Sequence, residues 1–376
     1  MSRKNFSPSA RLALAALLLA ACGGDGPGQY PDYENPGEPA GYTLAPGATG
    51  DGWQVASPGA EGFDAAALEK TFQSIENGVF PGVDSMVVVR HQRLVAEGYF
   101  NGFGRETVHD LRSTGKSFVS TLVGLALEQG LLGLDDPLSQ HIPDYENHEN
   151  MNDAKRAITL RHLLNMSSGL DCNDDIASSP GHEEKLYDSR DWIRFMLDLP
   201  MVAEPGTRTV YCTGGVVLLG HVVALRSGMT LDAFAQQWLL GPLDIEESEW
   251  RKAPDGNASG ATGFGLRPRD AAKLGALFAN EGVWNGVRVV PESWVLMTRT
   301  SPGAFGSQGY GYLWWKRTFI RPGGTLDAVY AAGNGGNYVF IVPSLELVVA
   351  FTGSNYNTAR SSTPHEIMPL VLSAIQ

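Results

Sequence analysis

Cysteine is scarce: three in 376 residues, too few for a scaffold held together by disulfides. Basic residues are also short, 28 against 41 acidic ones, for a formal net charge of −13. That balance excludes a nucleic-acid partner, because binding phosphates needs a basic face. No block of like charge is long enough to make a charged tail. Apolar residues are not lacking. At 43% of the chain they exclude global disorder and suffice for the core of one large domain or two ordinary ones. There is no internal repeat.

What is present begins with an address. Arg3, Lys4 and Arg11 form a positive stretch ahead of an apolar run from Leu12 to Ala21. Ten residues make about 15 Å of helix, half the roughly 30 Å of a bilayer's hydrocarbon. The run ends Leu19-Ala20-Ala21-Cys22-Gly23, which resembles a bacterial lipobox, so Cys22 is the expected lipidation site and 1–21 the leader. An ordinary secretory signal is the alternative. Loss of the leader removes three basic and no acidic residues, taking −13 to −16. Gly23 and Gly24 lack the Asp that favours inner-membrane retention. The expected place is therefore the cell envelope, at the outer membrane facing the periplasm or at the cell surface. Residues 23 to 59 hold ten Gly and six Pro with no Lys or Arg, a composition that predicts a flexible tether over 22–58 and a folded body from 59. No later segment is long and apolar enough to span.

In the body, Phe63, Leu68, Phe72 and Ile75 recur at helical spacing behind Asp64, a plausible N-cap. Residues 85–90 and 94–100, joined at His91-Gln92, read as a hairpin. Residues 114–129 form an apolar helix, and 136–300 are mostly helices and long loops. Strands return at 310–317, 328–332, 337–342 and 345–352 before a last helix over 364–375. Strands at both ends with helices between predict an α/β (α+β) body. Its antiparallel sheet is flanked by helices, with an inserted, mainly helical subdomain. The sheet part covers about 59–115 and 305–376, the helical part about 116–304.

Three segments carry chemistry. In Leu111-Arg112-Ser113-Thr114-Gly115-Lys116, residues three apart at a helix start share a face, so Lys116 reaches the Ser113 hydroxyl. The helix N-terminus adds positive potential for an alkoxide or oxyanion. A neutral lysine beside a serine can take its proton; a Ser cap followed by a solvated Lys is the bland alternative. In Val210-Tyr211-Cys212-Thr213-Gly214, a tyrosine before a helix can aim its hydroxyl into a cleft as a general base, or simply pack at the helix entrance. In Ala331-Ala332-Gly333-Asn334-Gly335-Gly336-Asn337, small residues between two strands admit a substrate along the strand edge and offer a backbone N–H to an oxyanion. A tight hairpin turn has the same composition.

Taken in order, these segments resemble the signatures Ser-x-x-Lys, Tyr-x-Asn and Lys-Thr-Gly of the serine β-lactamase and penicillin-binding-protein superfamily. The likeness is greatest to its class C-like branch of esterases, 6-aminohexanoate-oligomer hydrolases and D-peptidases. Residues 161–170 and Pro205-Gly206-Thr207 add to it. The resemblance implies a β-lactamase/transpeptidase-like fold over about 60–376, with Ser113 as nucleophile, Lys116 as its proton acceptor and Tyr211 assisting acylation and deacylation. It also implies an oxyanion hole from the backbone N–H groups of Ser113 and Asn334, and no metal or organic cofactor. Thr213, Gly333 and Asn334 fall at substrate-binding positions. Two departures stand out. Thr213 replaces the usual Asn, and Ala331-Ala332-Gly333 replaces Lys-Thr-Gly. The cation that grips a substrate carboxylate is thereby lost, an interaction worth a few kcal/mol, or roughly a hundredfold. Efficient β-lactam hydrolysis is not expected, and a neutral ester, amide or small peptide is the expected partner. The further alternatives are a D-peptidase, a weak β-lactamase, or a silent envelope-binding protein.

In the resembling fold Cys172 and Cys212 both border the cleft. With Cys22 lipidated in an oxidising compartment, a Cys172–Cys212 disulfide is expected against two buried thiols. The eight histidines show no metal-ligand spacing, and His141, Asp144, Glu146, His148 and Glu149 read as a surface loop. Tyr310, Tyr312, Trp314 and Trp315 alternate as in one strand, as sheet packing or as a substrate platform.

Overall fold

The computed structural model describes residues 41–300, 303–321 and 323–376. The leader, Cys22 and the tether up to residue 40 lie outside the described residues. A ten-stranded sheet organises the rest. Its N-terminal strands are β1 (Gly41–Leu44), β2 (Gln54–Val55), β3 (Val83–Arg90) and β4 (Arg93–Tyr99). Its C-terminal strands are β5 (Ala304–Phe305), β6 (Gln308–Gly311), β7 (Trp314–Arg321), β8 (Gly324–Gly333), β9 (Asn337–Val342) and β10 (Leu347–Gly353). The order is β1-β4-β3-β10-β9-β8-β7-β6-β5, antiparallel throughout, with β2 alongside β4 in parallel. The two ends of the chain meet at the β3–β10 ladder, from Leu347↔Arg90 to Gly353↔Val83.

Period-two alternation gives the sheet two apolar faces. Met86, Val88, Phe340 and Val349 meet α1 (Ala65–Glu76) and the C-terminal helix Pro364–Ser373 on one side. Val87, Val89, Val339, Ile341 and Val348 face the larger core on the other. That core contains α2 (Gly115–Glu128), α3 (Leu160–Leu164), the buried helix Thr213–Ser227 and the helix Pro268–Ala279. Gly275 lets the last of these lie directly on the sheet, since a Cβ there would come within 2.8 Å of Val339 Cγ1. The sheet and the inserted helices therefore share one core. Asp64 caps α1, its Oδ1 accepting the N–H groups of Ala66 and Ala67. Among the described residues no single helix is long and apolar enough to cross a membrane.

Two expectations are corrected. The body begins by residue 41, not 59. Here β1 pairs with β4 from Gly41↔Tyr99 to Leu44↔Ala96, and Trp53 is 5% exposed, edge-on to Trp284 at 4.8 Å between centroids. Arg269 binds Asp51 at 2.9 Å and Glu97 at 2.6 Å, so an ion-pair network ties this segment to the sheet. Glycine and proline content, averaged over the segment, hid the apolar side chains Tyr42, Leu44 and Trp53.

The second correction concerns the aromatic run, which is two strands. Tyr312 and Leu313 form the turn between β6 and β7 with φ of 52° and 66°, a conformation bulky residues rarely adopt. The turn is imposed from outside. The Tyr312 N–H donates to Asn165 Oδ1 (3.1 Å) and that of Leu313 to the Leu164 carbonyl (3.0 Å), while Ser117 Oγ donates to the Leu313 carbonyl (2.7 Å). By contrast the β3–β4 hairpin turns at His91-Gln92 as expected, with φ of 48° and 61°.

Trp53→Ala is expected to cost roughly 3–5 kcal/mol, as for other buried tryptophans. Chemical denaturation of the full chain measures this; a loss under about 0.5 kcal/mol, typical of a surface change, would return residues 41–58 to the status of a tether.

Candidate active site

The chain enters α2 through a tightly specified corner. His109–Asp110 pairs with Phe264–Leu266 in a small sheet, and the Leu111 N–H donates to the Phe264 carbonyl at 2.9 Å. Asp110 then turns the chain. Its Oδ1 accepts the Arg112 N–H at 2.8 Å and its Oδ2 lies 3.0 Å from Arg112 Nε, holding Arg112 at φ 52°. Ser113 follows in a short 3-10 turn, Arg112–Thr114, that runs straight into α2. The Thr114 hydroxyl donates to the Asn337 carbonyl at 2.9 Å, tying the turn to the start of β9.

Ser113 is half-buried, whereas Lys116 is 1% exposed. Lys116 Nζ donates to Ser113 Oγ at 2.8 Å and to the Ala261 carbonyl at 3.0 Å. It also stands 5.1 Å from the centroid of the Tyr211 ring. Thus the three residues expected to act together converge, and the i, i+3 spacing places the lysine as expected. The Ala261 carbonyl, 145 residues on, had no signal in the sequence.

The third segment closes the site from the sheet. The β7–β8 ladder ends at Trp315↔Tyr330, so Ala331, Ala332 and Gly333 run on beyond it. A Cβ on Gly333 would collide with the Leu111 carbonyl and sit 3.1 Å from the Ser113 and Thr114 nitrogens. Only glycine lets the strand come this close. Asn334 is buried. Its side chain exchanges hydrogen bonds with Asn357, at 2.6 Å from Nδ2 to Asn357 Oδ1 and 2.9 Å from the Asn357 N–H to Oδ1. Its carbonyl accepts Asn337 Nδ2 at 2.8 Å. Gly335 and Gly336 complete the turn with φ of 96° and 101°.

Tyr211 lies two residues before the first residue of the helix Thr213–Ser227 and is half-buried. Its ring is stacked near Trp315 (6.3 Å, 20°) and tilted against Phe305 (6.0 Å). Phe305 and Trp315 are also partly exposed and 5.4 Å apart, so an aromatic surface adjoins the Ser113–Lys116 pair. Cys172 and Cys212 are joined by a disulfide.

Thr213 is a correction. Expected at a substrate contact, it is fully buried and donates its hydroxyl to Glu183 Oε2 at 3.2 Å. Behind it lie two buried carboxylates, Asp174 and Glu183, that sequence reasoning missed. Both sit in an acid-rich stretch that reads as a solvated loop, so only the fold distinguishes them.

A family model described as Beta-lactamase matches residues 65–367, and the chain belongs to that family. It is 25% identical over 228 residues to the 6-aminohexanoate-dimer hydrolase of Paenarthrobacter ureafaciens, covering 56% of each chain. It thus spans about half the length of that curated relative. Among solved structures it resembles EstCE1, a hydrolase with promiscuous acyltransferase activity, at TM-score 0.64 and 19% identity over 81% of this chain and 98% of that one. A class C beta-lactamase from Rhodobacter sphaeroides gives 0.59 at 20% identity, over 81% and 99%. The large antiparallel sheet flanked by helices is the fold these structures share with it.

Gly333→Ala is expected to push β8 off the Ser113 turn and lower kcat about a hundredfold, the scale of a 1 Å misplacement, with the protein still folded by circular dichroism. An alanine variant as active as the wild type would mean that this close approach does not matter to the site.

Proposed function

We propose that the chain is a serine hydrolase that forms an acyl-enzyme at Ser113 with a neutral ester or small amide, held at the cell envelope by a lipid on Cys22. The observation that carries the catalytic part is the 2.8 Å hydrogen bond between Lys116 Nζ and Ser113 Oγ, made by a lysine buried next to Tyr211. The anchor rests on the sequence of residues 1–22 alone.

A serine hydroxyl is a weak nucleophile until a base takes its proton. In this scheme unprotonated Lys116 accepts that proton as Ser113 Oγ attacks the acyl carbon. The carbonyl electrons move onto oxygen, where the backbone N–H groups of Ser113 and Asn334 and the N-terminal end of α2 stabilise the negative charge. Tyr211 passes a proton to the departing alcohol or amine. The resulting Tyr211 phenolate takes a proton from the water that attacks the acyl carbon, and Lys116 returns the proton it took to Ser113 Oγ as the acyl group leaves. The scheme calls on no metal or organic cofactor.

Alanine at 331 and the aromatic surface of Tyr211, Phe305 and Trp315 favour an uncharged substrate with an apolar acyl group. The ester-directed reading draws on the likeness to EstCE1, and the small-amide reading on the likeness to the 6-aminohexanoate-dimer hydrolase. A second reading, a D-peptidase or weak β-lactamase, is favoured by one observation. The stretch Ala331–Gly333 extends past the β7 ladder, where an extended peptide could lie along it.

The test is hydrolysis of p-nitrophenyl butyrate by the full chain in detergent. We expect a clear rate that falls roughly a thousandfold or more in Ser113→Ala, and no covalent labelling by a fluorescent penicillin. Trp315→Ala is expected to raise KM about tenfold with a smaller change in kcat. Penicillin labelling of Ser113 without esterase activity would instead establish the second reading. Binding of cell-wall fragments with no hydrolysis of esters, amides or peptides would mean a silent binding protein.

A further inference from the structure

Three ties converge on the short segment Tyr211–Thr213. The Asp174 N–H donates to the Tyr211 carbonyl at 3.0 Å, the disulfide joins Cys172 to Cys212, and the Thr213 N–H donates to Asp174 Oδ2 at 2.6 Å. Asp174 therefore grips the residue on each side of Cys212, while Cys172, two residues before Asp174, holds Cys212 itself. The other carboxylate oxygen, Oδ1, accepts the N–H of Glu183 at 3.0 Å. Thr213 and Glu183 are the first residues of the helices Thr213–Ser227 and Glu183–Asp188, so one side chain caps two helices. Cys212, the residue before the longer helix, supplies no side-chain cap of its own; Asp174 provides that acceptor from 39 residues upstream of Thr213.

The surroundings make this an unusual place for a carboxylate that merely caps. Asp174 is 1% exposed and Glu183 7%, and both lie behind Tyr211. Burial first, and the Glu183 carboxylate second, raise the pKa of Asp174, while the hydrogen bond from the Thr213 N–H acts in the opposite direction. On the far side Glu183 Oε2 accepts the hydroxyls of Tyr187 (2.8 Å) and Thr213 (3.2 Å). The Arg251 guanidinium lies over the Tyr187 ring at 4.0 Å. A buried acidic pair costs stability unless hydrogen bonds offset it. Here two of those bonds, from the Thr213 N–H to Asp174 and from the Thr213 hydroxyl to Glu183, come from the segment that carries the candidate base.

We propose that Asp174 is a positioning residue that, with the Cys172–Cys212 disulfide, fixes Tyr211 beside Lys116 for proton transfer. This rests on the reading of Ser113, Lys116 and Tyr211 as the catalytic group. Asp174→Asn keeps the shape but leaves one oxygen for two N–H donors, so either the Thr213 or the Glu183 N–H loses its acceptor.

The test is steady-state hydrolysis of p-nitrophenyl butyrate by the full chain in detergent. Its activated leaving group needs no proton, which keeps the rate of a Tyr211→Phe background measurable. We expect Asp174→Asn to lower kcat about tenfold with KM changed less than about twofold. In the Tyr211→Phe background it should lower kcat no further, because the effect acts through Tyr211. A kcat within about twofold of the wild type would overturn the proposal. So would an equal fold-loss in both backgrounds, which marks a purely structural role. If Asp174→Asn does not fold, Cys172→Ser with Cys212→Ser loosens the same segment and is read by the same two criteria. Undiminished activity in Ser113→Ala would instead overturn the catalytic reading and the proposal with it.

Discussion

Everything in the site depends on the contact between Lys116 Nζ and Ser113 Oγ, and that contact depends on where the chain turns. Asp110 forces the left-handed Arg112 immediately before Ser113. The 3-10 turn then hands the chain to α2, whose buried face belongs to the helical core. From the other side Gly333 brings the end of β8 against the same turn, closer than any side chain would allow. The site thus lies at the seam between sheet and inserted helices. Neither half forms it alone: Ser113 sits in the 3-10 turn that leads into α2 and Lys116 in the first turn of α2, Tyr211 at the entrance to a second buried helix, and Asn334 just past the end of β8.

The same seam explains the shape of the substrate we favour. Lys116 spends its hydrogen bonds on Ser113 Oγ and the Ala261 carbonyl, and position 331, where the resembling signatures carry a lysine, is a buried alanine. The surface next to Tyr211 is aromatic instead, formed by Phe305 and Trp315. An uncharged acyl group gains from such a wall what a carboxylate would lose without a cation.

How much of this was legible in the sequence follows from the range of the interactions involved. The Ser113–Lys116 contact spans three residues across the 3-10 turn and the start of α2, the Asp64 cap two or three, and the His91-Gln92 hairpin two; each is local and each was readable. Tyr312-Leu313 was not, because its left-handed turn is imposed by Leu164, Asn165 and Ser117 from remote elements. The strands within 41–58 were hidden by their glycine content, since an edge strand needs backbone pairing more than composition. Thr213 was assigned to the substrate by its place in a motif, whereas its hydroxyl points to Glu183. Asp174 and Glu183 looked like any acidic loop until the disulfide and two helix starts brought them behind Tyr211.

The central claim is that Ser113 is the nucleophile, and the most direct measurement is mass spectrometry of the full chain after reaction with a fluorophosphonate. The account predicts a single phosphonyl adduct on the peptide carrying Ser113, with parallel loss of esterase activity. An active protein that stays unlabelled, or whose adduct lies on another residue, would contradict it.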